Sequence, residues 1–192
     1  MNFRCRLLRS APVLRFAPTL IRSEGGLARK SALVPLILLL ILLIILFPMF
    51  PHLVLSHDND IVWCKPIKRD EKFVIRYIHS VNKSPVEDSI RWNGKKLIIC
   101  ETLYQSYGAG IPNEPEDSQT FTWTDKGLLL SNINLERYSI DLFVGTIADH
   151  YLIYRDREYQ LKKLAGEQIL LNISVKRLSA FNLLFRKTYL SC

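Results

Sequence analysis

The stretch Leu33–Phe50, LVPLILLLILLIILFPMF, has no charged or hydrogen-bonding side chain at any of its eighteen positions. At about 1.5 Å per residue a helix of that length spans roughly 27 Å, close to the hydrocarbon thickness of a bilayer. A buried helix in a globular domain normally keeps a polar stripe, and this run has none. The pattern predicts a transmembrane anchor over 33–50. Pro35 is tolerated in its first turn, and Pro48 and Pro51 mark the exit.

Charge divides unevenly around that run. The formal net charge is +8, but residues 1–32 hold seven of the 26 basic side chains and only Glu24 of the 18 acidic ones. The part beyond residue 50 is left with 19 basic and 17 acidic groups, so its charge is nearly balanced. A nucleic-acid partner loses its electrostatic basis there. Arg and Lys flank the N-terminal side of the run, which by the positive-inside rule places the N-terminus in the cytoplasm and residues 51–192 outside it. The exit FPMFPHLVLS offers no small-x-small cleavage site, and no lipobox precedes Cys64. The expected organisation is a basic cytoplasmic leader over 1–32, the anchor over 33–50, an extracytoplasmic domain over 51–177 and a tail or short helix over 178–192. The leader reads in two ways, as a translated extension or as a stretch upstream of a start near residues 27–30.

Beyond Ile61 the dominant signal is short alternating runs between turn residues. Phe73, Ile75, Tyr77 and His79 fall on one face of a strand, with Val74, Arg76, Ile78 and Ser80 on the other. Asn93-Gly94 marks a hairpin between Ser89–Trp92 and Lys96–Tyr104, and Asp125-Lys126-Gly127 marks another between Phe121–Thr124 and Leu128–Ile133. Runs at 138–144, 150–154, 159–164 and 169–177 complete nine or ten expected strands. The fold class is all-β, an antiparallel β-sandwich or open β-barrel behind one N-terminal transmembrane helix. Cys64 and Cys100 both fall in expected strands, as a disulfide worth about 3–4 kcal/mol or as small buried residues.

One long connection stands out, Ser106–Ser118, in which Gly108 and Gly110 bring backbone freedom and Pro112 and Pro115 bring stiffness. Together, His79-Ser80-Val81-Asn82-Lys83-Ser84-Pro85-Val86-Glu87-Asp88, Glu101-Thr102 and Gly108-Ala109-Gly110-Ile111-Pro112 follow a pattern of H-S-V-x-x-x-P-V, E-T and G-A-G-[IL]-P. With Ala148-Asp149-His150-Tyr151-Leu152 they resemble the bacterial family called Domain of Unknown Function 1850. The resemblance covers roughly residues 50–176 and the hydrophobic segment before them. It implies a small membrane-anchored extracytoplasmic protein encoded near tripartite ATP-independent periplasmic (TRAP) transporters, especially those with a TAXI-type solute-binding protein. That implies a non-enzymatic accessory role in uptake at the bacterial cytoplasmic membrane. The partners would be the bilayer and the permease or its binding protein.

The residues themselves support several chemistries. A binding surface would use His79, Ser80, Lys83, Glu87, Glu101, Tyr107, Gly108, Ala109, Gly110, Pro112 and His150. In it the glycine loop offers open backbone N–H groups to an anion or a partner loop, and His79 and Lys83 add donors. The competing reading has the same residues lock the fold, with Glu87 and Glu101 as internal partners of Lys83 or His79. A hydrolase would take Ser80 as nucleophile, a histidine as base and Asp149 or Glu87 as its orienter, but no G-x-S-x-G elbow accompanies them. A metal site drawn from His79, His150, Glu87 and Glu101 lacks any close-spaced ligand pair. Glu114, Glu116 and Asp117 lack the order of a calcium loop, and no C-x-x-C pair suggests redox work. No catalytic residue, metal or cofactor is expected. The functions carried forward are the accessory protein, an independent periplasmic ligand-binding or sensing module, and the hydrolase.

Overall fold

A computed structural model describes residues 25–58, 60–108, 110–116 and 118–186, with the side chains of 25–32 and 184–186 left aside. Most of the proposed leader and the end of the tail therefore lie outside the described residues. The chain divides into two compact units at Ile41/Leu42.

Helix α1 runs Gly25–Leu46, starting before the expected anchor and ending short of it. Phe47, Pro48 and Met49 leave the helix, and Phe50 opens a strand. Every described side chain of α1, from 33 to 46, is exposed and apolar. That stretch is about 21 Å long against a hydrocarbon core of about 30 Å, and among the described residues no helix is long and apolar enough to cross a membrane.

The second unit is all-β, two antiparallel sheets rather than a closed barrel. The smaller has the order β2-β1-β12-β9, built from Phe50–His57 (β1), Asp60–Pro66 (β2), Ser139–Val144 (β9) and Ile169–Leu178 (β12). The larger has the order β11-β10-β3-β4-β5-β7-β6. Its strands are Lys72–Ile78 (β3), Pro85–Trp92 (β4), Leu97–Tyr104 (β5), Thr120–Thr124 (β6), Gly127–Ser131 (β7), Tyr151–Tyr154 (β10) and Arg157–Gln160 (β11). Leu135–Arg137 (β8) adds to β5. The two sheets share one core: Leu53, Leu55, Trp63, Leu171 and Ile173 from the smaller meet Phe73, Ile75, Ile90, Leu97, Leu152 and Tyr154 from the larger. Fully burying one such side chain contributes roughly 1.5–3 kcal/mol.

Both expected hairpins form. At the first, Asn93 Oδ1 accepts the backbone N–H groups of Lys95 and Lys96 at 2.9 and 2.8 Å, closing the Asn93-Gly94 turn. Three elements depart from the sequence reading. β1 lies outside the expected strands, and its first residue falls within the expected anchor. It is a central strand buried on both faces, with Leu53 and Leu55 in the main core and Val54 against Ile61, Cys64 and Leu178. Its apolar run is only Leu53–Leu55, buried on both faces, so no alternation marks it as a strand. Residues 161–165 form helix α2 instead of continuing a strand, because Leu161, Leu164 and Ala165 share a helical face turned to the core. β8 has three exposed residues between the left-handed Asn132 and Asn134 and the following turn, too few to show a period. The tail begins with helix α3, Ala180–Arg186.

One corner ties the sheets together. The Tyr154 hydroxyl donates to the Pro66 carbonyl at 2.6 Å, and Trp63 meets the edges of Tyr154 and Tyr159 at 6.3 and 5.0 Å between centroids. Arg155 grips both oxygens of Glu71. Although burial pushes the Glu71 carboxyl upward, the Arg155 and Lys68 hydrogen bonds outweigh it and hold it below its ordinary value. Cys100 is a free thiol, so the Cys64–Cys100 bridge does not form; Cys64 is itself disulfide-bonded. Two outcomes are expected. Tyr154→Phe lowers the unfolding free energy by about 1–1.5 kcal/mol in urea melts, the net worth of one buried hydrogen bond. Alkylation of the denatured, unreduced protein modifies Cys100 but spares Cys64, as peptide mass mapping would report.

Candidate functional site

Antiparallel pairing brings the end of β3, the start of β4, the end of β5 and the starts of β7 and β10 to one end of the larger sheet. The turn from β3 to β4 closes through His79 N–H to the Ser84 carbonyl at 2.9 Å and Lys83 N–H to the His79 carbonyl at 3.0 Å. Lys83 takes a left-handed φ of 49° to complete it. The N–H groups of Val81 and Asn82 both donate to His79 Nδ1 at 3.3 Å, so the ring is fixed and Nε2 carries the hydrogen.

The glycine loop packs directly onto this turn. A β-carbon on Gly110, whose φ is +88°, would stand 3.0 Å from His79 Cε1 and 3.2 Å from Nε2. One on Gly108 would stand 2.7 Å from Asn82 Oδ1. Two motifs thirty residues apart in sequence are thus one interlocked structure, and these glycines are needed for close approach. On the side of these Cβ positions the loop is covered by the turn. Ile111 is buried and anchors the loop, its N–H donating to the Gly108 carbonyl at 3.2 Å, while Pro112 beyond it is exposed. Ala109 lies outside the described residues.

Below the loops the inward face of the sheet is polar. Asp88 sits in phase with buried Val86, among Tyr77, Thr102 and Tyr104, and Thr102 Oγ1 donates to its Oδ1 at 2.6 Å. Burial pushes the Asp88 carboxyl above its ordinary value, against the lowering effect of Thr102. Burial, with the nearby Asp88 charge, pushes Tyr77 up to about 12 and raises Tyr104 as well. His150 stacks on Tyr77 at 5.8 Å between centroids and is buried, which pushes its pKa down. Its Nδ1 and the Nδ2 of Asn82 are buried without hydrogen-bond partners among the described residues. A cavity of about 440 Å³ opens beside His150 and is lined also by Phe143, Ile147 and Gln168.

The acids singled out from sequence lie elsewhere. Glu87 is on the outward face, 3.8 Å from Arg76, which also pairs with Glu158 at 2.6 Å. Glu101 is on that same face, opposite Ser89, away from the turn. Neither serves His79 or Lys83, and neither can converge with the inward-facing His150 on one ion. The strand period explains it: Glu87 and Asp88 must point to opposite faces, and it is Asp88 that points in. Among the described residues no group of three or more His, Cys, Asp or Glu could hold a metal ion. Ser80 and Lys83 are exposed on the turn, and the Nδ1 of His79 is turned to backbone.

Sequence reasoning missed Asp88 and Tyr77 as site groups, although alternation with Val86 flags an inward acid. It also missed Trp123. Val81, Tyr107 and Trp123 are 62%, 50% and 69% exposed, and the Tyr107 and Trp123 rings meet at 6.1 Å. Val81 adjoins Asn82, and Tyr107 adjoins the Gly108 that Asn82 touches, so these two side chains belong to the interlocked loops, while Trp123 reaches them from β6.

The fold and site define a two-sheet antiparallel β domain with a rigid loop platform over a buried polar cluster. Residues 73–161 match the family model described as Domain of unknown function (DUF1850), which supports the family that the motifs suggested. The match starts in β3 and ends at Leu161, narrower than the expected 50–176, and it encloses the whole platform. No curated protein and no solved structure matches the chain.

A raised Asp88 pKa means that the native state binds its proton more readily than the unfolded chain. Its contribution to stability is full below the unfolded pKa and is lost as pH rises through the folded value. Asp88→Asn removes the inward-facing, half-buried charge and keeps the oxygen that accepts from Thr102. The expected outcome is a higher melting temperature at neutral pH, with the gap to wild type closing toward about pH 4; a lower one at neutral pH counts against a raised pKa. Gly110→Val is expected to cost about 1–3 kcal/mol, since it strains a left-handed φ and presses on His79, as chemical denaturation would measure.

Proposed function

We propose that this chain is a membrane-anchored extracytoplasmic accessory protein of a TRAP-type solute transport system, working by docking and not by chemistry. The observation that carries the reading is the loop platform, where Val81 and Tyr107 stand exposed on two segments locked together beneath them and Trp123 of β6 meets the Tyr107 ring. Tyr and Trp are the residue types enriched as anchors of protein interfaces, and a preformed surface loses little entropy on binding. The partner class, a TRAP permease or its solute-binding protein, comes from the family resemblance.

Two further observations support the setting. The apolar side chains of 33–46 are all exposed, and the apolar run continues in sequence to Phe50, which favours lipid as the surrounding of α1. Cys64 is disulfide-bonded, as suits an oxidising compartment and hence an extracytoplasmic domain with its N-terminus in the cytoplasm. A tether of that kind raises the effective concentration of the domain against a membrane partner.

A second reading, an independent periplasmic ligand-binding or sensing module, is favoured by the cavity beside His150 and the unpartnered His150 Nδ1. The hydrolase reading has less support, because His79 Nδ1 faces the N–H groups of Val81 and Asn82 instead of the Ser80 hydroxyl.

The test is a tagged pull-down from mild-detergent membranes, read by mass spectrometry. Wild type is expected to recover transporter subunits. Tyr107→Ala with Trp123→Ala, first shown to be folded and anchored, is expected to lower that recovery by about tenfold or more. Wild type recovered alone, even after crosslinking, would overturn the accessory role and favour the ligand-binding module.

A further inference from the structure

We infer that the domain carries a second site, a groove at the β1–β12 end that holds an anionic phospholipid of the bilayer in which α1 is proposed to sit. The groove measures about 690 Å³. Its walls are apolar, from Phe50, Pro66, Ile67 and Leu183, and Lys68 and Arg69 stand at it. It is distinct from the loop platform, being built from β1, the segment after β2 and helix α3.

Three observations fix its occupant. The first is chain length. Only residues 47–49 separate the end of α1 from Phe50, so the Phe50 wall of the groove lies within about 14 Å of the helix end even if the chain there is fully extended. That keeps it within reach of the headgroup layer of any bilayer that α1 enters. The second is charge. Asp70 and Glu71, the acids next to Lys68 and Arg69 in sequence, are engaged by Arg91 and Arg155. Lys68 has no ion pair among the described residues, and Arg69 reaches Asp70 only at 3.7 Å on the exposed surface. Four cations face two acids, which leaves positive charge beside an apolar groove. The third is rigidity. The Ile67 N–H donates to the Pro51 carbonyl at 3.1 Å, and Phe50 pairs with Leu178, so both walls are held by backbone. An apolar slot next to unneutralised cations near a membrane suits an acyl chain with its phosphate at Lys68 and Arg69.

The inference rests on the anchor proposed above, and the experiment separates the two. The full chain is reconstituted into phosphatidylcholine vesicles holding a minority of phosphatidylglycerol, with a trace of phosphatidylglycerol bearing a photoactivatable acyl chain. Crosslinked peptides are then mapped. The expected result is labelling of 33–46 and, separately, of peptides holding Phe50, Ile67 and Leu183. In the folded Lys68→Glu/Arg69→Glu variant the groove labelling falls by about tenfold while helix labelling persists. Ala180→Trp, which fills the groove and leaves the charges alone, is expected to remove the groove labelling as well.

Helix labelling without groove labelling would overturn the lipid site and leave the anchor standing; that is also the result if the end of this chain or a second copy fills the groove. Labelling of neither would overturn both. Groove labelling that is unchanged by charge reversal, and equal with a phosphatidylcholine probe, would overturn the anionic preference.

Discussion

The pairing of β1 with β12 is the constraint on which the rest of the domain depends. Seven residue pairs, from Phe50↔Leu178 to Ser56↔Asn172, join the two ends of the domain at the centre of the smaller sheet. Leu53 and Leu55 from one strand and Leu171 and Ile173 from the other form the floor on which the larger sheet packs. Contacts between residues more than a hundred positions apart carry a large loop-closure cost, repaid only when the whole core assembles. The same pairing sets Phe50 beside Leu178, two residues before the C-terminal helix, and Phe50 and Leu183 of that helix both line the groove.

The loop platform is built differently, from local turns that meet. The His79 turn closes through its own backbone and the His79 ring, and the glycine loop is pinned by Ile111. Their interlock needs no long side-chain network, because Gly108 and Gly110 let the loop approach Asn82 and His79 to distances that any side chain would block. Rigidity there is a packing effect, and the exposed aromatic residues inherit it. The buried polar cluster beneath works against stability, since a carboxyl held above its ordinary pKa is costly when ionised. Such groups often mark sites retained for function.

The two proposed surfaces lie on different strand ends and obey different physics. The platform offers flat aromatic area suited to protein, while the groove offers an apolar slot with unneutralised cations suited to lipid. A tethered domain with both would be positioned by the bilayer on one surface and present the other to a neighbour in the membrane.

The order of the residues alone determined a good deal. Alternation gave the all-β class and most of the strands of the larger sheet, because residues at a half-buried sheet must alternate. Asn93-Gly94 gave its hairpin because few residue pairs accept that backbone. Motif order pointed to the family whose model matches residues 73–161, and the apolar run gave the helix, though not its end at Leu46. Only the tertiary structure decided the rest. It separated β1 from the apolar run before it, since a strand buried on both faces has no period. It chose two sheets over a barrel, a matter of long-range pairing. It turned Glu87 toward Arg76 and Asp88 toward the core, where one residue of strand phase separates a surface ion pair from a buried acid. It also brought the histidine turn onto the glycine loop, a contact between segments whose own patterns carry no record of each other.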